Sequence, residues 1–177
     1  MTERGFSLLE LVVVISIISI LVVVALDRLL PYIDEAERVS VLRVEGQLRS
    51  TLMMEAAQRI VRGQGASITE LEGSNPVKLL AQPPKNYLGE LSASQESAAP
   101  ARHWYFEATG RRLVYRIGEA FSLNAGDGPL EDPAFEVRIA FADANGNGYF
   151  DPSRDELYGV HLERVAGTNW LAGASVN

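Results

Sequence analysis

The sequence predicts an α+β protein in which one long N-terminal helix, half membrane-spanning and half amphipathic, packs on an antiparallel β-sheet. Three observations carry this expectation. An apolar run, residues 11–26, stands directly behind Gly5-Phe6-Ser7-Leu8-Leu9-Glu10. From residue 34 to 62 there is no proline, and Val41, Val44, Leu48, Leu52, Ala56 and Ile60 recur every three or four positions. Beyond residue 102, apolar and polar residues alternate with a period of two.

The apolar segment holds one carboxylate, Glu10. A carboxylate near the centre of a membrane helix costs ~2.5–3.5 kcal/mol, and toward one end it still needs a partner or water. Two plain readings compete for this stretch. A secretory signal peptide would use Val23-Val24-Ala25 as its cleavage site, but its positive region would be Arg4 alone and a Glu would interrupt its apolar core. A simple anchor has the required length of roughly 20 residues, and leaves Glu10 unexplained. Arg4 precedes the run, whereas Asp27, Asp34, Glu35 and Glu37 follow it with only Arg28 and Arg38 between them. The positive-inside bias therefore places the N-terminus in the cytoplasm and the bulk of the chain outside.

Met1-Thr2-Glu3-Arg4-Gly5, Phe6 and Glu10, with the Val/Ile/Leu run behind them, resemble the signature of type IV prepilins and of the pseudopilins of type II secretion systems. The resemblance covers about the first thirty residues and implies the following. A prepilin peptidase cuts between Gly5 and Phe6 and methylates the new amine of Phe6. Glu10 is the assembly residue, pairing with the N-terminal amine of a neighbouring subunit. The partners are other pilin or pseudopilin subunits, an assembly-platform membrane protein, and lipid before assembly. The location is the bacterial inner membrane, single-pass, and then a pilus or pseudopilus. Such pilins usually carry an early helix proline where this chain has Ala25-Leu26-Asp27, so Pro31 is the candidate bend.

With 177 residues, the chain has room for one modest head of roughly 110–120 residues after the anchor. The expected organisation is a leader at 1–5, the apolar half-helix at 6–30, the amphipathic half at 31–62, a variable connector at 63–101 and a β-sheet head at 102–177. Gly46 weakens the helix by about 1 kcal/mol against Ala, and Gly63-Gln64-Gly65 ends it. The connector carries Asn75-Pro76, Gln82-Pro83-Pro84 and a Ser/Ala-rich stretch ending at Pro100, all turn chemistry, with a short helix expected from Val77 to Ala81. The Asn86–Gly89 piece resembles the loop between helix and sheet in some pilin-like proteins. Trp104-Tyr105-Phe106 and Leu113-Val114-Tyr115 flank Ala108-Thr109-Gly110-Arg111 as a hairpin. Phe135, Val137, Ile139 and Phe141 form a third strand, and Tyr158, Val160 and Leu162 a fourth.

Between the last two strands, Asp143, Asn145, Asn147, Tyr149 and Asp151 fall at loop positions 1, 3, 5, 7 and 9, with Gly148 at 6. This is the EF-hand ligand order for calcium. Position 12, normally a bidentate Glu, is Arg154, so Asp155 or Glu156 would have to close the site. Two neutral Asn ligands point to a weak affinity, on the order of 10⁻⁴–10⁻³ M. The plain alternative is an Asx-turn loop with no metal. The chain has no cysteine, so no disulfide orders its C-terminal region, and a calcium clamp would serve that purpose.

A net charge of −7 disfavours binding to a phosphate backbone, and no direct nucleic-acid partner is expected. His103 and His161 are the only histidines and read as structural. No nucleophile elbow or phosphate-cradling loop is present, so no enzymatic activity is expected. The function that follows is a structural subunit of a pseudopilus or pilus. The size of the head, its irregular connector and Asp27 at the usual proline position favour a minor subunit. A filament-tip adhesin and a membrane-anchored envelope enzyme are the alternatives.

Overall fold

The computed structural model describes residues 7–118 and 131–171. Helix α1 runs Leu8–Val61, 54 residues, with Pro31 inside it. The chain divides into two units, residues 1–38 and 39–177.

In the first unit, Leu8–Leu29 has a mean hydropathy of 3.1 and is long and apolar enough to cross a membrane. Its hydroxyls need no water. Ser16 and Ser19 donate to the carbonyls of Val12 and Ile15, both at 2.8 Å, the pairing by which such residues are tolerated in lipid.

In the second unit, the rest of α1 meets a five-stranded sheet of β1 (Tyr87–Leu91), β2 (His103–Glu107), β3 (Arg112–Arg116), β4 (Ala134–Ala142) and β5 (Glu156–Ala166), in the order β1-β2-β3-β4-β5. β1 pairs parallel to β2, and the other neighbours are antiparallel. A 3-10 helix Gly65–Leu71, another at Pro76–Leu79, and the short helices α2 (Ala93–Glu96) and α3 (Thr168–Leu171) complete it.

Val41, Leu48, Leu52 and Ala56 are buried against Trp104, Phe106, Leu113, Phe135, Val137 and Leu162. Their spacing puts them on one helix face, as the sequence periodicity requires. Ile60 departs from the expected line and is 54% exposed, because at 100° per residue it has rotated about 100° from Val41, off the sheet-facing stripe. Trp104 and Phe106 point into this core, while Tyr105 turns to a smaller cluster with Val114 and Ala134 on the other sheet face.

The helix carries a buried carboxylate, Glu45. It accepts from Arg49 at 2.7 Å and from Arg164 of β5 at 2.6 Å. The Arg164 guanidinium also lies 5.7 Å from the Phe135 ring centroid, a cation–π contact.

Four details differ from the sequence expectation. Of the Asn86–Gly89 piece expected as a loop, Tyr87, Leu88 and Gly89 belong to the edge strand β1. The helix expected at Val77–Ala81 is a 3-10 turn at Pro76–Leu79, begun by Asn75, whose side chain accepts from the Val77 amide. The hairpin's left-handed residue is Arg111 (φ 54), because its guanidinium is held by the carbonyls of Glu72 and Gly73 at 2.7 and 3.2 Å. Tyr158 is 68% exposed although it shares parity with Val160 and Leu162. The register shift between Ala140 and Phe141 pairs Phe141 with Leu157, and the extra residue, Tyr158, is pushed outward.

The C-terminal region is ordered by packing. Trp170 of α3 is 1% exposed and stacks on Tyr115 with centroids 5.9 Å apart. The turn into α3 passes through Gly167, at φ 68, where a Cβ would lie 2.5 Å from the Pro133 backbone.

Two stability predictions follow from these contacts. Gly167→Ala loses about 1–3 kcal/mol, from a strained left-handed residue and a backbone clash. Glu45→Ala leaves the half-buried Arg164 without its carboxylate and loses about 1–3 kcal/mol. Both are read as lowered midpoints in urea unfolding of the detergent-solubilised chain, with Gln58→Ala, on the exposed helix face, as the unshifted control.

Candidate functional site

The N-terminal site is built on the first turn of α1. Ser7 stands just ahead of the helix, and the Glu10 backbone N–H donates to its hydroxyl at 3.2 Å. Ser7 thus acts as N-cap and Glu10 as the third residue of the first turn, the Ser-x-x-Glu spacing of a capping box. An acid in the first turn also faces the positive end of the helix dipole. Glu10 therefore has a local reason to be tolerated at the start of a membrane segment. Among the described residues, no side chain pairs with its carboxylate. Gly5 and Phe6, the expected cleavage and methylation positions, lie outside the described residues.

The second candidate is the loop between β4 and β5. Asp143 is its hub. One carboxylate oxygen accepts from the amides of Asn145, Gly146 and Asn147 at 3.2, 2.6 and 3.3 Å, and the other from Gly148 at 2.7 Å. Asn145 and Asn147 each accept from the amide two residues on, at 3.0 and 2.8 Å, in successive Asx-turns. Gly146 and Gly148 take the left-handed φ values of 73 and 78 that wrapping requires.

The loop is closed by Asp155. Its two oxygens accept from the amides of Ala144 and Asp151, at 3.0 and 2.7 Å, so it ties the loop's start to its end. Asp151 in turn accepts from the hydroxyl and the amide of Ser153. Glu156 lies in β5 opposite Ala142 rather than in the loop. Tyr149 is 77% exposed, and the neighbouring Phe150 packs on Phe141 with centroids 5.5 Å apart, fastening the loop to the core.

The structure therefore brings Asp143, Asn145, Asn147, Asp151 and Asp155 into one hydrogen-bonded ring of backbone amides. Among the described residues, no group of three or more His, Cys, Asp or Glu side chains is arranged to hold a metal ion. The carboxylates of Asp143 and Asp155 receive N–H donors instead, although each oxygen keeps lone-pair capacity.

Sequence reading missed a further polar cluster. Asn75 is buried and donates to the Tyr87 hydroxyl at 2.7 Å and to Glu90 at 3.0 Å, and Glu90 pairs with Lys78 at 2.7 Å. The Lys78 and Asn75 hydrogen bonds hold the Glu90 carboxyl below its usual range, and burial pushes the Tyr87 hydroxyl up. These groups join the second 3-10 helix to β1. The Asn75-Pro76 turn signal marked the place, but its partners come from an edge strand that the sequence does not announce. His103 meets the Ala101 carbonyl at 2.8 Å, and His161 is exposed on β5.

The amides of Gly148, then Gly146, Asn145 and Asn147, hold the Asp143 carboxyl below its ordinary value of 3.8. A carboxyl depressed in the folded state contributes order that is present above its unfolded value and lost as pH falls through the folded one. The loop should thus keep its form at pH 5 and loosen well below 3.8. In an NMR titration, the Gly148 amide proton moves with a midpoint under that value, and Asp143→Asn abolishes the titration.

Comparison with known proteins bears on the first site. Residues 1–26 match the family model described as the prokaryotic N-terminal methylation motif. The match spans Gly5, Phe6, Ser7 and Glu10, and the family that carries it is structural rather than enzymatic. No solved structure matches the chain. On an α+β fold that sets a long apolar helix ahead of a mostly antiparallel sheet, the chain bears the leader signature of type IV pilins and pseudopilins.

Proposed function

We propose that this protein is a structural subunit of a type II secretion pseudopilus or a type IV pilus. It is made as a membrane-anchored precursor, cut by a prepilin peptidase between Gly5 and Phe6, methylated at Phe6, and assembled through its N-terminal helix. The observation that carries the reading is the methylation motif over residues 1–26, which takes in most of an apolar stretch, Leu8–Leu29, with a single acid in its first turn.

Mechanistically, apolar helices leaving lipid bundle with one another, and Glu10 neutralises the amine of the neighbouring subunit. A buried carboxylate without that pairing is costly, so the pair selects one axial register. The head stays outside the cytoplasm and supplies the filament surface. A minor subunit is favoured by the size of the head and by Asp27 at the usual proline position. The partners are other pilin-like subunits and an assembly-platform membrane protein.

For the loop from Asp143 to Asp155 we propose calcium as the ligand, supported by the EF-hand order of its oxygens and their remaining lone pairs. Calcium titration followed by NMR should move the Gly146 and Gly148 amides with a midpoint on the order of 10⁻⁴–10⁻³ M. Unmoved amides well above that range assign the loop to Asx-turn structure alone.

Intact mass after co-expression with a prepilin peptidase tests the main reading. The expected product lacks residues 1–5 and carries one added methyl at Phe6. An uncut chain, or a cut near Ala25, would overturn it. Glu10→Val should still insert and be cut but fail to assemble, and normal filament formation by that variant would remove the role given to Glu10.

A further inference from the structure

The loop between β4 and β5 holds two Asn-Gly pairs in succession, Asn145-Gly146 and Asn147-Gly148. All four residues are exposed. An Asn before Gly is the one most prone to lose its side-chain amide, because glycine, with no Cβ, offers an unhindered backbone nitrogen to the side chain ahead of it. The other described asparagines lack that neighbour: Asn75, Asn86 and Asn169 precede Pro76, Tyr87 and Trp170.

The reaction needs an electrophile and a nucleophile from the same pair, and the loop treats them in opposite ways. The electrophile is the side-chain carbonyl carbon of the Asn. Its oxygen accepts from the amide two residues on, for Asn145 from Asn147 at 3.0 Å and for Asn147 from Tyr149 at 2.8 Å. A donor on that oxygen favours the tetrahedral adduct. The nucleophile is the Gly nitrogen, and it is withheld. The Gly146 N–H donates to one oxygen of Asp143 at 2.6 Å, and the Gly148 N–H to the other at 2.7 Å. Such a nitrogen attacks only after giving up its proton, which here would leave an anion against a carboxylate. Hydrogen bonds to charged groups are the strong ones, so attack waits for the loop to open.

We propose that Asn145 and Asn147 are sites of spontaneous deamidation, and that Asp143 restrains the reaction by occupying the Gly146 and Gly148 N–H groups. In each pair the Gly nitrogen loses its proton to solvent base and bonds to the Asn side-chain carbon. The bond from that carbon to the side-chain nitrogen breaks, and the nitrogen takes up a proton and leaves as ammonia. Water then opens the cyclic imide at either carbonyl, giving aspartate or isoaspartate. One water is consumed and one ammonia released, with no oxidant, enzyme or metal. Each event adds a negative charge to the loop. Isoaspartate also lengthens the backbone by one carbon, which breaks the spacing by which four amides reach Asp143. A loop that has opened is thus marked irreversibly, and the exposed head carries a chemical record of its age. The inference is independent of the pilin-like reading and of any bound ion.

Mass spectrometry of the detergent-solubilised full chain, held at mildly alkaline pH with a calcium chelator, reads the Asn-to-Asp conversion and the isoaspartate formed. Folded wild type should convert Asn145 and Asn147 at least about tenfold more slowly than the same chain unfolded in urea, since one hydrogen bond to a charged group is worth that factor. Asp143→Ala should bring the folded rate up to the unfolded one. Phe150→Ala, which frees the loop from Phe141 and leaves Asp143 in place, should stay near wild type. Asn86 and Asn169 should remain unconverted over the same period. The urea midpoint of each variant separates local from global opening. A second measurement needs no variant: as urea is raised below the wild-type midpoint, hydrogen exchange at Gly146 and Gly148 should rise in parallel with deamidation of the residue before each.

Folded wild type that deamidates as fast as the unfolded chain overturns the inference. So does an Asp143→Ala chain with an unshifted midpoint and an unchanged rate, or an equal acceleration by Phe150→Ala. Should Asp143→Ala unfold the head, the exchange comparison decides, and deamidation that rises while both glycine amides stay protected overturns the restraint assigned to Asp143.

Discussion

The head depends on the contact between Glu45 and Arg164. One residue stands mid-helix and the other near the end of the last strand, so a single carboxylate ties α1 to a strand residue more than a hundred positions later. Apolar packing alone would tolerate sliding, because Val41, Leu48, Leu52 and Ala56 repeat along the helix and meet a broad aromatic floor. An ion pair with a buried carboxylate does not tolerate it: a displacement of one turn would strand Glu45 without its partner. Arg49 and the Phe135 ring complete the setting by occupying the remaining acceptor and the guanidinium face.

Much of the fold is legible in the sequence because it rests on periodicity. The three-and-four spacing from Val41 to Ala56, and the alternation from Phe135 to Phe141, each announce an element and its buried face. The hairpin around Ala108–Arg111 was legible for the same reason. What escaped reading depends on contacts distant in sequence. β1 is a short edge strand interrupted by Gly89 and Glu90, and it exists because β2 is there to pair with it. Tyr158 follows the alternation but loses its place to a bulge, which no local pattern encodes. Arg111 takes a conformation usually left to glycine because two carbonyls nearly forty residues upstream receive its side chain.

The functional regions divide in the same way. Glu10 stood out because a carboxylate in an apolar run contradicts its surroundings, and the Ser7 cap explains how the helix accommodates it. In the β4–β5 loop, the spacing of Asp143, Asn145, Asn147 and Asp151 was plain, whereas the direction of their oxygens was not. Four amides gather on Asp143, and Asp155 locks the loop from the far end. The cysteine-free C-terminal region is held in part by the burial of Trp170 against Tyr115 behind the tight Gly167 turn.

The position of Trp170 also has a temporal meaning. Strands β2 to β5 pair with their neighbours in chain order, a local topology that forms quickly. The residue that covers Tyr115 and the adjoining core, however, follows every strand in the chain and is made after them. Until it emerges, the head has its sheet but not its lid. A nascent chain that has not yet passed Gly167 presents an open aromatic surface, which is the condition that invites chaperoning or degradation. Closure of the head thus waits on one short helix, so a chain truncated before Trp170 differs from a longer one by an uncovered core.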